Sequence, residues 1–322
     1  MNHDSTNIPV SPRWLHLFAV LTVLFTLPLL FLGAGVTSHG PGVALIDKEG
    51  FRPPWVIITR LLENFELAFI LEYGHRTFGF LVGICAIGLA VGCWFFDRRA
   101  WLGWFAFLAL ALICVQGALG IFRVDYNALY GRTFALIHGC FAQIVFAVLV
   151  SLALITSRRW LVDTSETASS ALKRWALVTV LVVYAQLVLG GLVRHREDLL
   201  GPRGHLLGAF VVTGMILWLL RLMAENEARE RFKLQRIALM ALLSVQLVLG
   251  VESWLARFYV EHVNTTALTP LPLHQEWIRT AHYLVGTLIF STTVVVALIA
   301  HRHPVLAPGA ASLRLHEAEG AV

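Results

Sequence analysis

Charge is what this chain is short of. Lys, Arg, Asp and Glu make up only 14% of the 322 residues, against 57% hydrophobic, and the mean hydropathy is +0.72. That balance excludes a soluble domain with ordinary surface chemistry and leaves an integral membrane protein. Cysteine is scarce too. All four, Cys85, Cys93, Cys114 and Cys140, fall inside apolar runs, which excludes a loop disulfide framework and makes them small packing residues. No small-residue cleavage site follows the first apolar run, so it reads as a retained helix and not as a removable signal peptide.

What is present is a series of long apolar runs, at 14–35, 75–96, 101–122, 134–156, 174–193, 205–223, 235–256 and 280–300. Each approaches the roughly 20 helical residues that a bilayer core needs. The fold class expected is therefore all-α and integral to a membrane, with eight transmembrane helices. With the N-terminus inside, 14 of the 25 Lys and Arg residues lie in inner segments, and 11 of the 20 acidic residues accompany the other 11 outside. The Lys/Arg bias favours both termini in the cytoplasm. The formal net charge of +5 is then a topology signal and not a nucleic-acid footprint.

Four histidines, His75, His138, His205 and His282, stand near the starts of the second, fourth, sixth and eighth runs. With this topology those helices run inward, so all four share the extracytoplasmic leaflet, within the first turns of their helices. An ionisable ring inside a bilayer is costly to keep. Taken singly, such a histidine reads as a hydrogen-bonded structural residue; four at equivalent positions read as haem ligands, two imidazoles on facing helices taking the axial positions of a macrocycle held between them. The pairs expected are His75 with His138 and His205 with His282. The other nine histidines, at 3, 16, 39, 195, 262, 274, 301, 303 and 316, fall in loops, tails or near the inner face and read as solvated or interfacial.

The sequence also repeats itself. Leu32-Gly33-Ala34-Gly35-Val36 resembles Leu189-Gly190-Gly191-Leu192-Val193, and Gln116-Gly117-Ala118-Leu119-Gly120 resembles Gln246-Leu247-Val248-Leu249-Gly250 and Gln186-Leu187-Val188-Leu189-Gly190. A four-helix unit used twice gives two parallel-repeat four-helix bundles in the same orientation. The division expected is a cytoplasmic tail 1–13, an N-terminal half 14–156, a cytoplasmic linker 157–173, a C-terminal half 174–301 and a cytoplasmic tail 302–322. In the repeated motif Gln and Gly share one helix face, so the Gly lets a neighbouring helix or a flat ligand come close. Helix packing alone explains the Gly equally simply, and the Gln reads as a polar contact within the bundle. Pro53-Pro54 followed by Trp55 to Phe69 suggests an amphipathic helix on the outer surface.

The halves differ at one point. Glu72-Tyr73-Gly74-His75-Arg76 puts a carboxylate three residues before the first histidine, whereas Gly201-Pro202-Arg203-Gly204-His205 has none. Glu72 is thus a candidate acid–base group, or else simply the ion-pair partner of Arg76 or Arg60. Outer-end arginines Arg76, Arg132, Arg194, Arg203 and Arg279 are candidate anchors for haem propionates, Arg76 and Arg203 above all.

The stretch from Glu72 to Arg76, the run Ile137-His138-Gly139-Cys140-Phe141-Ala142-Gln143, Gly204-His205-Leu206-Leu207-Gly208, Arg279-Thr280-Ala281-His282 and the Gln-containing repeats resemble the haem A synthase family over about residues 14–301. That resemblance implies oxidation of the C8 methyl of haem O to a formyl group by successive hydroxylations, in haem A biosynthesis for cytochrome oxidase. It implies substrate haem O in the N-terminal half with Glu72 catalytic, and a haem b cofactor in the C-terminal half. Partners implied are haem O, a haem O synthase as supplier, an electron donor, membrane lipid and a second copy of the chain, in a bacterial plasma membrane or an equivalent organelle inner membrane. The chain departs from the family in lacking outer-loop cysteine pairs, and in having Lys48-Glu49 where many relatives have Trp-Pro. Two other readings stand beside it: a diheme membrane cytochrome b relaying electrons between quinol and an external partner, and, more distantly, a transporter.

Overall fold

A computed structural model describes residues 11–39, 67–125, 127–130, 132–162, 168–195, 200–225, 228–258 and 273–302. The surface helix expected from Trp55 onward, the first outer loop, most of both tails, and His3, His262, His303 and His316 lie outside these residues.

Every element described is helical. Eight helices are long and apolar enough to cross a membrane, and we number these α1 to α8: α1 Arg13–His39, α2 Leu67–Phe96, α3 Ala100–Asp125, α4 Thr133–Thr156, α5 Ser170–His195, α6 Leu200–Leu222, α7 Lys233–Phe258 and α8 Leu273–His301. Three short helical pieces, at 127–130, 158–162 and 228–231, lie in the connections. The expected integral membrane, all-α class is what the fold shows.

Hydroxyl groups inside the spans cannot find water, so they fold back on their own helix. Thr22, Thr26, Ser151, Thr287, Ser291 and Thr292 each donate to the carbonyl four residues earlier, which removes the cost of an unpaired group in hydrocarbon. Large apolar side chains such as Phe95, Phe210 and Val248 point outward, where lipid and not water is their solvent.

Helix α1 packs on α2 and α4, and α3 packs on α2 and α4, closing a ring of four; α5 packs on α6 and α8, and α7 on α8 and more sparsely on α6. One apolar core is drawn almost wholly from α1–α4 and includes Leu15, Leu89, Leu102 and Leu149; a second comes mainly from α5–α8 and includes Ile216, Leu219, Leu239 and Val296. A small third cluster joins them, with Leu30, Ala142 and Phe146 against Leu284 and Leu288. The helices that meet across this seam are α1 with α8, α4 with α8 and α4 with α5. Phe31 stacks on Trp277 across it, ring centres 5.4 Å apart and planes 7° from parallel. Arg194 crosses it as well, donating from Nη2 to the Ala34 carbonyl and to Ser38 Oγ, both at 2.6 Å.

The ends of the helices hold two related clasps. Arg99, in the turn between α2 and α3, binds Asp97 through Nε (2.9 Å) and Nη2 (2.8 Å), and donates to Ser11 Oγ (2.7 Å) and the Ile155 carbonyl (3.2 Å). Ser11 also donates to Asp97. Burial pushes the Asp97 carboxyl up, but these donors outweigh it and hold its pKa below the usual carboxylate value. At the corresponding end of the other half, Arg231 Nη2 donates to the Ile299 carbonyl (3.0 Å), capping orphan carbonyls at a helix C-terminus in the same way.

Two expectations need correction. The histidines are deeper than the first turns: His75 is the ninth residue of α2, His138 and His205 are the sixth of α4 and α6, and His282 is the tenth of α8. A span read from apolarity stops at Glu72 and Arg76, but these neutralise each other and the helix continues through them. His16 is not a solvated residue either; its Nδ1 lies 3.0 Å from the Ala153 carbonyl and fastens α1 to α4.

Candidate functional site

The four histidines meet as two pairs. On α2 and α4, the ring centres of His75 and His138 are 6.3 Å apart with planes crossed at 77°; on α6 and α8, those of His205 and His282 are 6.1 Å apart at 83°. All four are at least partly buried.

Each ring is held from two directions. His75 Nδ1 lies 2.9 Å from the Leu29 carbonyl and His205 Nδ1 lies 3.3 Å from the Gln186 carbonyl. A carbonyl only accepts, so in both rings Nδ1 carries the proton and Nε2 keeps its lone pair. The other two rings face the backbone of Gln116 and Gln246 in the same way and meet their side chains as well: Gln116 Nε2 is 3.3 Å from His138 Nε2, and Gln246 Nε2 is 3.4 Å from His282 Nε2. Gln116 Nε2 also donates to the His138 backbone carbonyl at 3.1 Å, and Gln186 Nε2 to that of His205 at 2.8 Å.

The second support is glycine. A Cβ on Gly33 would stand 2.6 Å from His75 Cε1, on Gly190 3.0 Å from His205 Cε1, on Gly120 3.3 Å from His138 Cε1 and on Gly250 3.1 Å from His282 Cε1. Each imidazole therefore lies on a glycine of the neighbouring helix, and any side chain there would push the ring aside. The glycines of the repeated motif seat the histidines; packing of helix on helix is only part of their role. The acceptor at Leu29 leaves no mark in the sequence, because a backbone carbonyl is common to every residue.

A haem fits these residues. Among the described residues no three His, Cys, Asp or Glu side chains come together as a metal site. Two imidazoles cannot close a zinc tetrahedron, but they suffice where a porphyrin supplies the remaining ligands. Two nitrogen–metal bonds of about 2 Å, with about 1 Å from each nitrogen to its ring centre, span about 6 Å, which is the spacing of both pairs.

Charge distinguishes the two sites. Glu72, three residues before His75 and with a side chain only 14% exposed, accepts from Arg76 Nε and Nη2, both at 2.9 Å from the same oxygen. Arg123, near the end of α3, is within electrostatic reach of Glu72, His75 and His138. Aligning His75 with His205 and Gln116 with Gln246 puts Pro202, Leu206 and Ser253 at the places of Glu72, Arg76 and Arg123. Arg123 was absent from the residues singled out in the sequence, although its position seven residues after Gln116 is readable there. Of the candidate propionate anchors, Arg76 is engaged with Glu72, Arg203 and Arg132 are exposed, and Arg194 lies over the Tyr283 ring at the seam. His195 ends α5, and His274 is the exposed second residue of α8.

Fold and site together define a class: an eight-helix integral membrane protein with two intramembrane pairs of facing histidines. The model of the COX15-CtaA family, described as a cytochrome oxidase assembly protein, matches residues 47–201. Two relatives named haem A synthase are similar along the chain. That of Alkalihalophilus pseudofirmus is 27% identical over 262 residues, covering 73% of this chain and 84% of the relative; that of Hyphomonas neptunium is 24% identical over 220 residues, covering 58% and 60%. The chain is thus similar to haem A synthases over much of its length.

Proposed function

We propose that the protein oxidises the C8 methyl of haem O to a formyl group by successive hydroxylations, as the last step of making haem A for cytochrome oxidase. The observation that carries this reading is the difference between two otherwise matched histidine pairs: among the described residues only the His75–His138 pair has a carboxylate, Glu72, within electrostatic reach of a ring. His75 and His138 hold the substrate haem O, and His205 and His282 hold a haem b. The bound haem b supplies one-electron redox chemistry.

The chain's own residues do the rest. Gly33 and Gly120 let the rings of His75 and His138 lie close against α1 and α3, which fixes where a macrocycle edge falls. The apolar walls of α1–α4 exclude water from that edge. Glu72, oriented by Arg76, is placed to take or return a proton at a carboxylate oxygen near the substrate, and a positioned acid–base group of this kind contributes on the order of 10²–10⁴ in rate. Arg123 sets the positive potential in which Glu72 works. Arg76 and Arg203 are the propionate contacts we favour, at the polar ends of their helices. The two-bundle division of the chain is supported by separate apolar cores and by the paired seats under the rings, and the Lys/Arg bias supports both termini facing the cytoplasm.

The test is a conversion assay. The purified protein, supplied with haem O, a reductant and oxygen, should yield hydroxylated and then formyl haem on chromatography of the extracted pigments. Haem O returned unchanged by protein that carries its own haem b would contradict the reading and favour the electron-relaying cytochrome.

A further inference from the structure

A positive charge is left over beside the N-terminal pair. Arg123 comes seven residues after Gln116 and three after Gly120 on α3, so all three share one helix face. Gln116 and Gly120 lie against the His138 ring, and Arg123 follows one turn nearer the end of α3, half-buried. The start of α2 packs beside that end and brings Glu72 there, the one carboxylate within electrostatic reach of Arg123 among the described residues. Glu72 already takes both Arg76 contacts on a single oxygen. Arg194 is within reach as well, and no hydrogen bond or ion pair joins the Arg123 guanidinium to a described residue. Uncompensated cations are costly to keep at the end of a span, so the place suits an anion.

The proposed substrate brings one. Haem O carries two propionates, and one of them stands on the same pyrrole as the C8 methyl, on the neighbouring carbon. Whatever grips that propionate must therefore be next to whatever acts at the methyl, and Arg123 and Glu72 are such neighbours. We propose that Arg123 binds the propionate beside the C8 methyl and so holds that methyl at Glu72. A guanidinium fork matches a carboxylate in both shape and charge. Two axial imidazoles fix where the iron sits, but they let the macrocycle turn about the axis that joins them. An anchor on one edge removes that freedom and selects which ring methyl meets the acid–base group. The Arg76 contact favoured above serves the other propionate. In the C-terminal half the aligned residue is the neutral Ser253, where a cofactor needs no particular methyl aimed.

The inference rests on the reading that His75 and His138 hold haem O, and the experiment separates the two. Full-length protein carrying its haem b is titrated with haem O and with its two monomethyl esters, one blocked at the propionate beside the C8 methyl and one at the far propionate. Binding is read from the low-spin bis-histidine absorption that His75→Ala lacks. In wild type, blocking the propionate beside the methyl should weaken binding about 10–100-fold, the worth of hydrogen bonds to a charged group. Arg123→Met should weaken haem O by a similar factor and then bind haem O and that ester alike, while the far ester stays weakened to the same extent in both proteins. An Arg123→Met variant that weakens haem O and both esters equally would make Arg123 a structural residue, or one that meets a lipid phosphate, and would overturn the proposal. Coupling to the far propionate would turn the methyl away from Glu72 and overturn it too. If Arg123→Met fails to fold, Arg123→Gln removes the charge and is read in the same way. A wild type with no haem O signal that depends on His75 would remove the reading of the site, and this inference with it.

Discussion

The N-terminal and C-terminal halves present nearly the same imidazole geometry in different surroundings. Ring centres 6.3 Å and 6.1 Å apart, a carbonyl under one ring, a glutamine at the other and a glycine beneath each are common to both. What is not shared is the charge at the aligned positions and the ring whose backbone a glutamine holds. The N-terminal pair has Glu72, Arg76 and Arg123 beside it. The C-terminal pair has neutral residues at the three aligned positions, and the amide that holds a histidine backbone falls on opposite rings: Gln186 on that of His205, Gln116 on that of His138. On the function proposed above, scaffold and chemistry are separable in this molecule: duplicated residues would build a place for a macrocycle, and unduplicated ones would decide what happens there.

The largest effect expected concerns the ligands. His75→Ala or His138→Ala should abolish haem A formation and leave the C-terminal haem largely in place, as read by the conversion assay and by haem stoichiometry. Full conversion by either variant would move the active site out of the N-terminal half.

Next comes Glu72. Glu72→Gln keeps shape and most hydrogen bonding but cannot ionise, so conversion per bound haem should fall by about 10²–10⁴, with a hydroxylated intermediate accumulating. If Glu72 serves only as the partner of Arg76, the variant should melt earlier and convert at nearly the normal rate. Those two outcomes cannot be confused.

The glycine seats sharpen the comparison further. Gly33→Ala sets a methyl 2.6 Å from His75 Cε1, whereas Gly190→Ala sets one 3.0 Å from His205 Cε1. Both should disturb a ring, at an overpacking cost of about 1–3 kcal/mol, and the first should cost more. Optical spectra of the two variants should show loss of the N-terminal and C-terminal signal respectively; equal loss of both from either variant would mean that the sites are not independent.

The smallest effect lies far from the haems. Asp97 has its pKa lowered in the folded state, so its contribution is present above the unfolded value of about 3.8 and is lost as pH falls through the folded value. Thermal melts in detergent should therefore show wild type losing more stability than Asp97→Asn as pH drops below about 4. Near neutrality the variant should be less stable by about 1–3 kcal/mol, the worth of hydrogen bonds to a charged group, with conversion per folded molecule unchanged.

Much of this was legible in the residues. Eight apolar runs of bilayer length gave eight helices because a backbone in lipid has few other ways to satisfy itself. The four histidines could be paired because they recur at matched positions. Helix starts were less legible: α2 begins at Leu67, before the charged Glu72 and Arg76, and α8 at Leu273, before Glu276 and Arg279, since backbone hydrogen bonds continue where apolarity pauses. The glycine seats were visible as a motif, but their partners lie on other helices, and no spacing within one helix names them. Leu29 could not be found at all, because its part is played by a carbonyl. Arg123 was overlooked for the opposite reason: an arginine at the end of a span looks like an interface anchor until its neighbours are known.

The central claim is that the two matched pairs hold different haems. It is tested most directly by extracting and separating the haems of wild type, His75→Ala and His205→Ala. Wild type should give haem B together with haem O or its oxidised products, His75→Ala haem B alone, and His205→Ala a preparation depleted of haem B. Haem B alone from wild type, filling both sites, or haem O retained by His75→Ala, would contradict it.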